Sequence, residues 1–211
     1  MKKKTKFKTN LKYNFVNKKL NSKSLRKIIM ILKSENNLSI LANLSDKNIK
    51  KYLEIVVRQN NMELFVVNNP DLIGYAIIAQ KPKYLISNFK KLQISFLLDL
   101  FSRFKFLTLI NIFISIFNID LLFISKKKRE IINNSVNLNL LGIEKKYQGA
   151  GIGAKFLRSI LKKTSYKSKY ITCETNNNRS TKFYEEKLKF KSIGWKVRIT
   201  CLVNILSKKI Y

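Results

Sequence analysis

The residues best suited to chemistry lie in the glycine-rich run from Tyr147 to Ala154. Glycines at positions 149, 151 and 153 allow a sharp backbone turn in which the N–H groups face outward. A helix is predicted directly after this turn, and its positively polarised N-terminus would point at the same place. The run could therefore hold an anionic diphosphate, although a glycine-rich turn can also be a plain connection between a strand and a helix.

Two predicted elements position this run. An apolar strand is predicted at Val136–Ile143 and a helix at Gly151–Lys163. A dinucleotide-binding unit would instead carry Gly-x-Gly-x-x-Gly near its start, with an acidic residue about twenty positions later. The glycine order here is different, and the run comes late in the chain. The apolar side of the predicted helix comprises Ile152, Phe156, Ile160 and Leu161.

The run resembles motif A of the GNAT superfamily of N-acetyltransferases, which reads Arg/Gln-x-x-Gly-x-Gly/Ala. Gln148, Gly151 and Gly153 fill its three positions. The resemblance implies that the run binds the pyrophosphate of acetyl-coenzyme A (acetyl-CoA), the cosubstrate of the family. The backbone amides implied are those of Gln148, Gly149, Ala150, Gly151, Ile152, Gly153 and Ala154.

A second motif of the family follows at the expected distance. Family members read Asn-x-x-Ala-x-x-Phe/Leu-Tyr, then a few residues, then Gly-Phe. In this sequence Asn177, Ser180 and Tyr184 take the first three named positions, and Phe190 closes the motif. The chain departs from the pattern twice, with one extra residue between Tyr184 and Phe190 and with Lys189 where Gly is usual.

The resemblance covers about residues 136–206 and implies further roles. Tyr184 would be the general acid that protonates the leaving thiolate, and Asn177 would contact the pantetheine arm. Without the resemblance, Phe183 and Tyr184 would be read as core packing on an amphipathic helix. The pantetheine arm would pair with the backbone of about Leu140, Leu141, Gly142 and Ile143, with an N–H near Leu141 stabilising the oxyanion.

The sequence restricts the remaining chemistry. It contains no histidine and two cysteines, and no metal-ligand spacing, so no metal is expected. The general base could be Glu174, Glu144 or an ordered water, and Glu174 could equally form an ion pair with a lysine. The resemblance implies direct attack by an amine on acetyl-CoA. We expect the primary amine of a small acceptor, an amino sugar or a metabolite; the alternative is a protein N-terminus or lysine.

Charge is the unusual feature of the composition. The 211 residues include 43 basic and 12 acidic residues, giving a net charge of +31. Biased composition explains most of it; contact with an anionic membrane or with nucleic acid is the other interpretation, and nucleic acid is disfavoured. Residues 1–20 are interpreted as a basic arm with the first strand, and 21–211 as one domain. No signal peptide is predicted, so a cytoplasmic location is expected, with peripheral membrane contact as a variant.

An apolar insertion is predicted at about residues 82–128. Its longest stretch without charge, 106–119, is shorter than the roughly 20 residues that a membrane-spanning helix needs. Three interpretations stay open: helices that cap the substrate end, a homodimer interface, or helices lying on a membrane surface.

The predicted fold is α/β (α+β). The resemblance implies a mixed, mostly antiparallel sheet of six or seven strands, with helices on both faces and splayed, parallel fourth and fifth strands. The other predicted elements are strands at 11–17, 62–67, 72–80, 169–175, 192–197 and 199–206, and helices at 22–33 and 47–58, the latter capped by Ser45.

Overall fold

A computed structural model describes residues 11–16, 20–35, 39–82, 94–103, 105–116, 119–121, 124–163, 166–199 and 201–210. The start of the basic arm and residues 83–93 of the insertion lie outside the described residues. The described part of the chain forms one seven-stranded sheet.

The sheet has the strand order β1-β2-β3-β4-β5-β7-β6. Neighbouring strands are antiparallel, except that β4 and β5 run parallel. The predicted mixed sheet with parallel fourth and fifth strands is confirmed. The strands are β1 (Lys12–Val16), β2 (Met62–Asn69), β3 (Asp71–Ala79), β4 (Val136–Ile143), β5 (Tyr170–Thr175), β6 (Lys191–Val197) and β7 (Leu202–Lys209).

Helices cover both faces of the sheet, as predicted. One face carries α1 and α2, whose buried stripes pack on β2, β3 and β4; the other carries α6, which packs on β4 and β5. The helices are α1 (Ser22–Glu35), α2 (Asp46–Arg58), α3 (94–102), α4 (Phe106–Ile116), α5 (Lys126–Asn134), α6 (Ile152–Lys163) and α7 (Asn178–Lys182), the last continuing as a π-helical turn over Phe183–Lys187.

Two predicted boundaries are wrong for local reasons. The last strand begins at Leu202 instead of Ile199, because Arg198 and Cys201 exchange backbone hydrogen bonds of 3.0 and 3.4 Å and close a hairpin turn. Helix α6 begins at Ile152 instead of Gly151, since Gly151 has φ +76°, a left-handed conformation that ends helical geometry. The cap of α2 is confirmed, because the Ser45 side chain accepts a hydrogen bond from the Asn48 N–H.

The described parts of the insertion pack on the same face as α1 and α2. Phe96 and Leu100 of α3 are buried in the core under α1 and α2. Asp99 fixes α3 in place, because its carboxylate accepts hydrogen bonds from the Ser45 N–H (2.7 Å) and the Asn48 amide (2.8 Å). No helix within the described residues is both long and apolar enough to cross a membrane.

Candidate functional site

A cleft opens where β4 and β5 separate. The two strands pair only from Val136↔Ile171 to Leu138↔Cys173, although both continue for several residues. Beyond Leu138 the edge of β4 that faces β5 pairs with no strand among the described residues, so its backbone can pair with a ligand.

A bulge at Asn139 accompanies this divergence. The pairing of β3 with β4 shifts between Ile77 and Ile78, which leaves Asn139 as the extra residue of β4. The Asn139 side chain donates a 3.1 Å hydrogen bond to the hydroxyl of Tyr52 on α2, which fixes the bulge against the core. The sequence shows no sign of this bulge, because strand register decides it.

The cleft has a volume of about 1910 Å³ and passes through the gap between the two strands. Leu141 and Ile143 line it, whereas Gly142 does not. A Cβ at Gly142 would lie 2.6 Å from the Tyr75 ring and 2.9 Å from Ile31, so this glycine faces the core under α1. Of the predicted pantetheine segment, Leu141 and Ile143 thus face the cleft and Gly142 does not.

The glycine-rich run forms one wall of the cleft. Gly149 and Gly151 have φ of +82° and +76°, and no atom lies within 4 Å of a Cβ built at either position. These two glycines are thus required by backbone conformation and not by lack of space. Gly153 has no such conformation, and a Cβ at this position would lie 3.4 Å from the Phe183 ring, an ordinary contact distance.

Among the described residues, backbone N–H groups without a carbonyl acceptor lie together at the start of α6. The Gly151 carbonyl accepts the first hydrogen bond of the helix, from the Lys155 N–H at 3.1 Å. Within the described part of the chain, the N–H groups of Ile152, Gly153 and Ala154 donate to no carbonyl, and all three residues line the cleft. Three such donors at a helix N-terminus form a site suited to phosphate.

The Gln148 side chain connects the glycine-rich run to α1, β4 and α7 through hydrogen bonds. Its side-chain N–H₂ donates to the Ile143 carbonyl (2.8 Å) and to the Glu35 carboxylate, and its oxygen accepts a 2.8 Å hydrogen bond from Arg179. Neither Glu35 nor Arg179 is among the site residues predicted from the sequence. Arg179 lies two residues after Asn177 in the second motif, a usable signal, whereas Glu35 on α1 carries none.

Basic side chains surround the end of the cleft at the start of α6. Arg179 lies there beside the run, and further cations come from α6 and from the segment after β5. Their positive potential favours an anion at the start of α6. The other cations of this end are Lys155, Arg158, Lys182 and Lys187.

Asn177 lines the cleft and also caps α7. Its side-chain oxygen accepts a 2.7 Å hydrogen bond from the Ser180 N–H, which is the usual geometry of an N-cap asparagine. Its oxygen is thus used within the protein, and the side-chain N–H₂ is the group that a ligand could contact.

Tyr184 lines the same cleft, with its ring in the core. The ring contacts Phe183 and Phe190 edge-on, with centroids 5.1 and 5.4 Å apart. Burial, and secondarily the neighbouring Cys173 thiol, raises the pKa of the Tyr184 hydroxyl well above its ordinary value. The hydroxyl makes no hydrogen bond with any other described residue, so its proton can be donated to a ligand.

The π-helical turn explains the extra residue in the second motif, whereas Lys189 adopts the conformation usual for the glycine that it replaces. A π turn accommodates one more residue than an α turn, which absorbs the residue added between Tyr184 and Phe190. Lys189 has φ +61°, the left-handed conformation for which glycine is usual. The Phe190 N–H then closes the helix by donating to the Tyr184 carbonyl at 3.1 Å.

The two carboxylates considered as general base differ in position. Glu144 lies outside the cleft lining and pairs with Lys27 (2.9 Å) and Lys146 (3.5 Å). Glu174 lines the cleft but pairs with Lys196 (2.6 Å) and Arg198 (3.7 Å). Burial alone would raise the pKa of Glu174, but these two cations outweigh it and lower the pKa, which makes the carboxylate a weaker base.

Residues of the insertion line the other end of the cleft. Asn111 and Ser115 of α4 line this end, together with Phe96 of α3. Helix α4 is held over the β6–β7 hairpin, because the Asn111 side chain accepts a 3.0 Å hydrogen bond from the Ile199 N–H and Arg198 donates to the Asn111 carbonyl at 3.2 Å.

Known proteins resemble this chain in fold but not in sequence. No protein-family model and no curated protein match the sequence. Among solved structures, a protein of Desulfovibrio desulfuricans described as an acetyltransferase of the GNAT family has a TM-score of 0.59 and 9% identity, over 95% of this chain and 99% of its own.

Two further structures share the fold with slightly lower TM-scores. The ribosomal-protein-S18-alanine N-acetyltransferase of Escherichia coli has a TM-score of 0.53 and 11% identity, over 95% of this chain and 94% of its own. The NatC complex, solved with Gag peptide and CoA, has a TM-score of 0.53 and 13% identity, over 94% and 98% of the two chains. At such identities the similarity concerns the fold alone.

Proposed function

Since the chain has the fold of the GNAT N-acetyltransferases, as its sequence predicted, we propose that it transfers the acetyl group of acetyl-CoA to a primary amine. One observation carries the proposal. The amides at the start of α6, the open edge of β4 and Tyr184 all face a single cleft. This arrangement fits a long cosubstrate with a diphosphate at one end and a reactive thioester further in.

The residues of the cleft fit the parts of the cosubstrate. The N–H groups of Ile152, Gly153 and Ala154 suit the pyrophosphate, and Arg179, held by Gln148, adds a positive charge beside them. The open edge of β4 beyond Leu138 suits the amide groups of the pantetheine arm, which needs an extended backbone partner.

The chemical step is direct attack in a ternary complex. An uncharged amine forms a C–N bond to the thioester carbonyl, and an N–H near Leu141 stabilises the oxyanion. The C–S bond then breaks, and Tyr184 donates its proton to the leaving thiolate. With Glu144 outside the cleft and Glu174 ion-paired, ordered water is the base that we favour for taking the proton from the amine.

We further propose a small acceptor, an amino sugar or a metabolite. Residues of the insertion line the end of the cleft where the acceptor would lie, whereas a peptide acceptor would need an open groove. The carboxylates among the described lining residues are Glu35, Glu174 and Glu186, and the first two are engaged with partners. Few negative charges therefore remain to attract a lysine-rich peptide or a polyamine.

The test is calorimetric titration of the chain with acetyl-CoA, using two glycine variants. Gly151→Ala forces a side chain into a left-handed conformation at a cost of about 1–2 kcal/mol, which should weaken binding roughly tenfold by distorting the run. Gly194→Ala is the matched control, because its Cβ would meet Ile124 at an ordinary 3.6 Å. A folded native chain that does not bind acetyl-CoA would overturn the proposal.

A further inference from the structure

A continuous apolar surface lies on the outer side of the insertion. We call it the outer face; its six large side chains are between 45% and 77% exposed. Monomeric proteins seldom expose a contiguous apolar patch of this kind unless it contacts something. The outer face comprises Ile94, Leu98 and Phe101 of α3 and Phe106, Ile110 and Phe113 of α4.

Helical spacing makes each half of the outer face a stripe. In α3 the exposed residues lie at positions i, i+4 and i+7, opposite the buried Phe96 and Leu100. In α4, Phe106, Ile110 and Phe113 repeat the same spacing, and Leu107 beside them is also exposed. Both helices are therefore apolar on two sides, one facing the protein and the other facing outward.

Phe101 and Phe106 join the two stripes. Their rings pack edge-on with centroids 5.6 Å apart, so the apolar surface is continuous from α3 to α4.

The charge beside the outer face is positive. Arg103 and Lys105 lie between α3 and α4, and both are exposed. The carboxylate of Asp99, which also pairs with Arg103, is directed inward to Ser45. The exposed lysines 126–128 follow at the start of α5, in a chain whose net charge is +31.

We propose that the outer face is a binding surface for an anionic lipid membrane. Apolar side chains on helices that lie in the interface enter the acyl boundary, while neighbouring Lys and Arg attract the headgroups. Helix α4 has 11 residues and is thus about 16 Å long, which suits lying on a bilayer and not crossing its roughly 30 Å core. The proposal does not depend on acetyl transfer.

A second copy of the chain is a poorer occupant. A twofold dimer would place the same patch of both copies face to face. Arg103 and Lys105 of each copy would then approach those of the other, between two molecules of charge +31 each. Anionic headgroups offer the opposite charge and complement the patch.

Membrane contact would also set the distance between the cleft and the lipid surface. Asn111 and Ser115, which line its acceptor end, lie on the side of α4 opposite Ile110 and Phe113. The acceptor end would therefore lie roughly one helix diameter, about 10 Å, from the lipid surface.

The experiment measures binding of the full chain to phosphatidylcholine vesicles with and without phosphatidylglycerol, by cosedimentation. We expect binding to the anionic vesicles, and at least a roughly tenfold weaker affinity for Ile110→Glu/Phe113→Glu, since two inserting side chains are lost. Met30→Glu is the matched control, an equally exposed apolar residue on α1 (49% exposed) that should leave binding unchanged. Circular dichroism checks that each variant is folded.

Three results would overturn the proposal. If the native chain does not bind anionic vesicles, a lipid surface is excluded as the partner. Equal binding by the double variant would assign the interaction to general positive charge and not to the outer face. A dimer in sedimentation velocity that the double variant abolishes, without vesicle binding, would assign the outer face to a second copy.

Discussion

At the scale of single residues, the site depends on conformations and charges that one substitution can change. Gly151 supplies a left-handed turn, Tyr184 a protonated hydroxyl, and Lys189 occupies a conformation that favours glycine. The sequence identified all three positions. The turn at Gly151 follows from its residue type, whereas the φ of Lys189 and the burial of Tyr184 were not predictable, because they arise only in the folded structure.

Tyr184→Phe tests the general acid. Because burial raises the pKa of Tyr184, its hydroxyl stays protonated through the neutral range and can donate. Removing it should lower kcat roughly 100-fold or more. The Kd for acetyl-CoA should change little, since the ring is kept.

Tyr166→Phe provides the control for that variant. It removes another hydroxyl, one that donates to Glu63 at 2.8 Å outside the cleft, and should leave kcat at the native value. Native kcat in Tyr184→Phe would reject the hydroxyl as the acid and leave Tyr184 with a packing role.

Lys189→Gly should stabilise the protein. Lys189 has φ +61°, so glycine would remove steric strain at the end of the helix and raise the free energy of unfolding by about 0.5–1 kcal/mol. Urea unfolding of the two proteins measures the difference. The same change at exposed Lys191, within β6, should destabilise, because glycine weakens a strand.

At the scale of elements, a few contacts fix where the insertion lies. Helix α3 is attached to the start of α2 through Asp99, and α4 to the β6–β7 hairpin through Asn111. The sequence predicted an apolar insertion with three interpretations. The described inner faces pack within the protein. The capping interpretation stays a prediction, and membrane contact through the outer face is our proposal.

Asp99→Asn tests the attachment of α3. Burial would raise the pKa of Asp99, but hydrogen bonds from Ser45 and Asn48 and the charge of Arg103 together lower it. A lowered folded-state pKa means that the carboxylate stabilises the fold above its unfolded pKa of about 4, and that this contribution is lost as pH falls through the folded value. At neutral pH the variant should lose about 1–3 kcal/mol of unfolding free energy.

The measurement is urea unfolding of native and variant protein at neutral and acidic pH. The difference in unfolding free energy between the native protein and Asp99→Asn should decrease as the pH falls below about 4. Asp71→Asn is the control: its carboxylate bonds to Lys23 in full solvent, where an ion pair contributes little. A gap that is constant with pH would show that charge on Asp99 does not hold α3.

At the scale of the whole molecule, the sheet brings both motifs to one cleft. The glycine-rich run follows β4 and the second motif follows β5, so parallel β4 and β5 deliver both to the same edge. The insertion, on the α1 and α2 face, lines the end of the cleft away from the glycine-rich run. The net charge of +31 does not determine where the strands place the two motifs.

Local sequence patterns were sufficient to predict most elements and the position of both motifs. Periodicity and turn residues predicted β4 at its observed bounds, and most of the other strands and helices within three residues. The left-handed glycines at 149 and 151 agree with the predicted run. Such features are local: residue type and spacing set backbone conformation and the buried side of a helix.

Tertiary structure alone decided which distant groups meet. Glu35 reaches Gln148 across 113 positions, Lys196 of β6 neutralises Glu174 of β5, and the bulge at Asn139 follows from register with β3. None of these contacts leaves a periodic trace in the sequence, because strand order and register bring the partners together. Register likewise decided that Gly142 faces the core while Leu141 and Ile143 line the cleft.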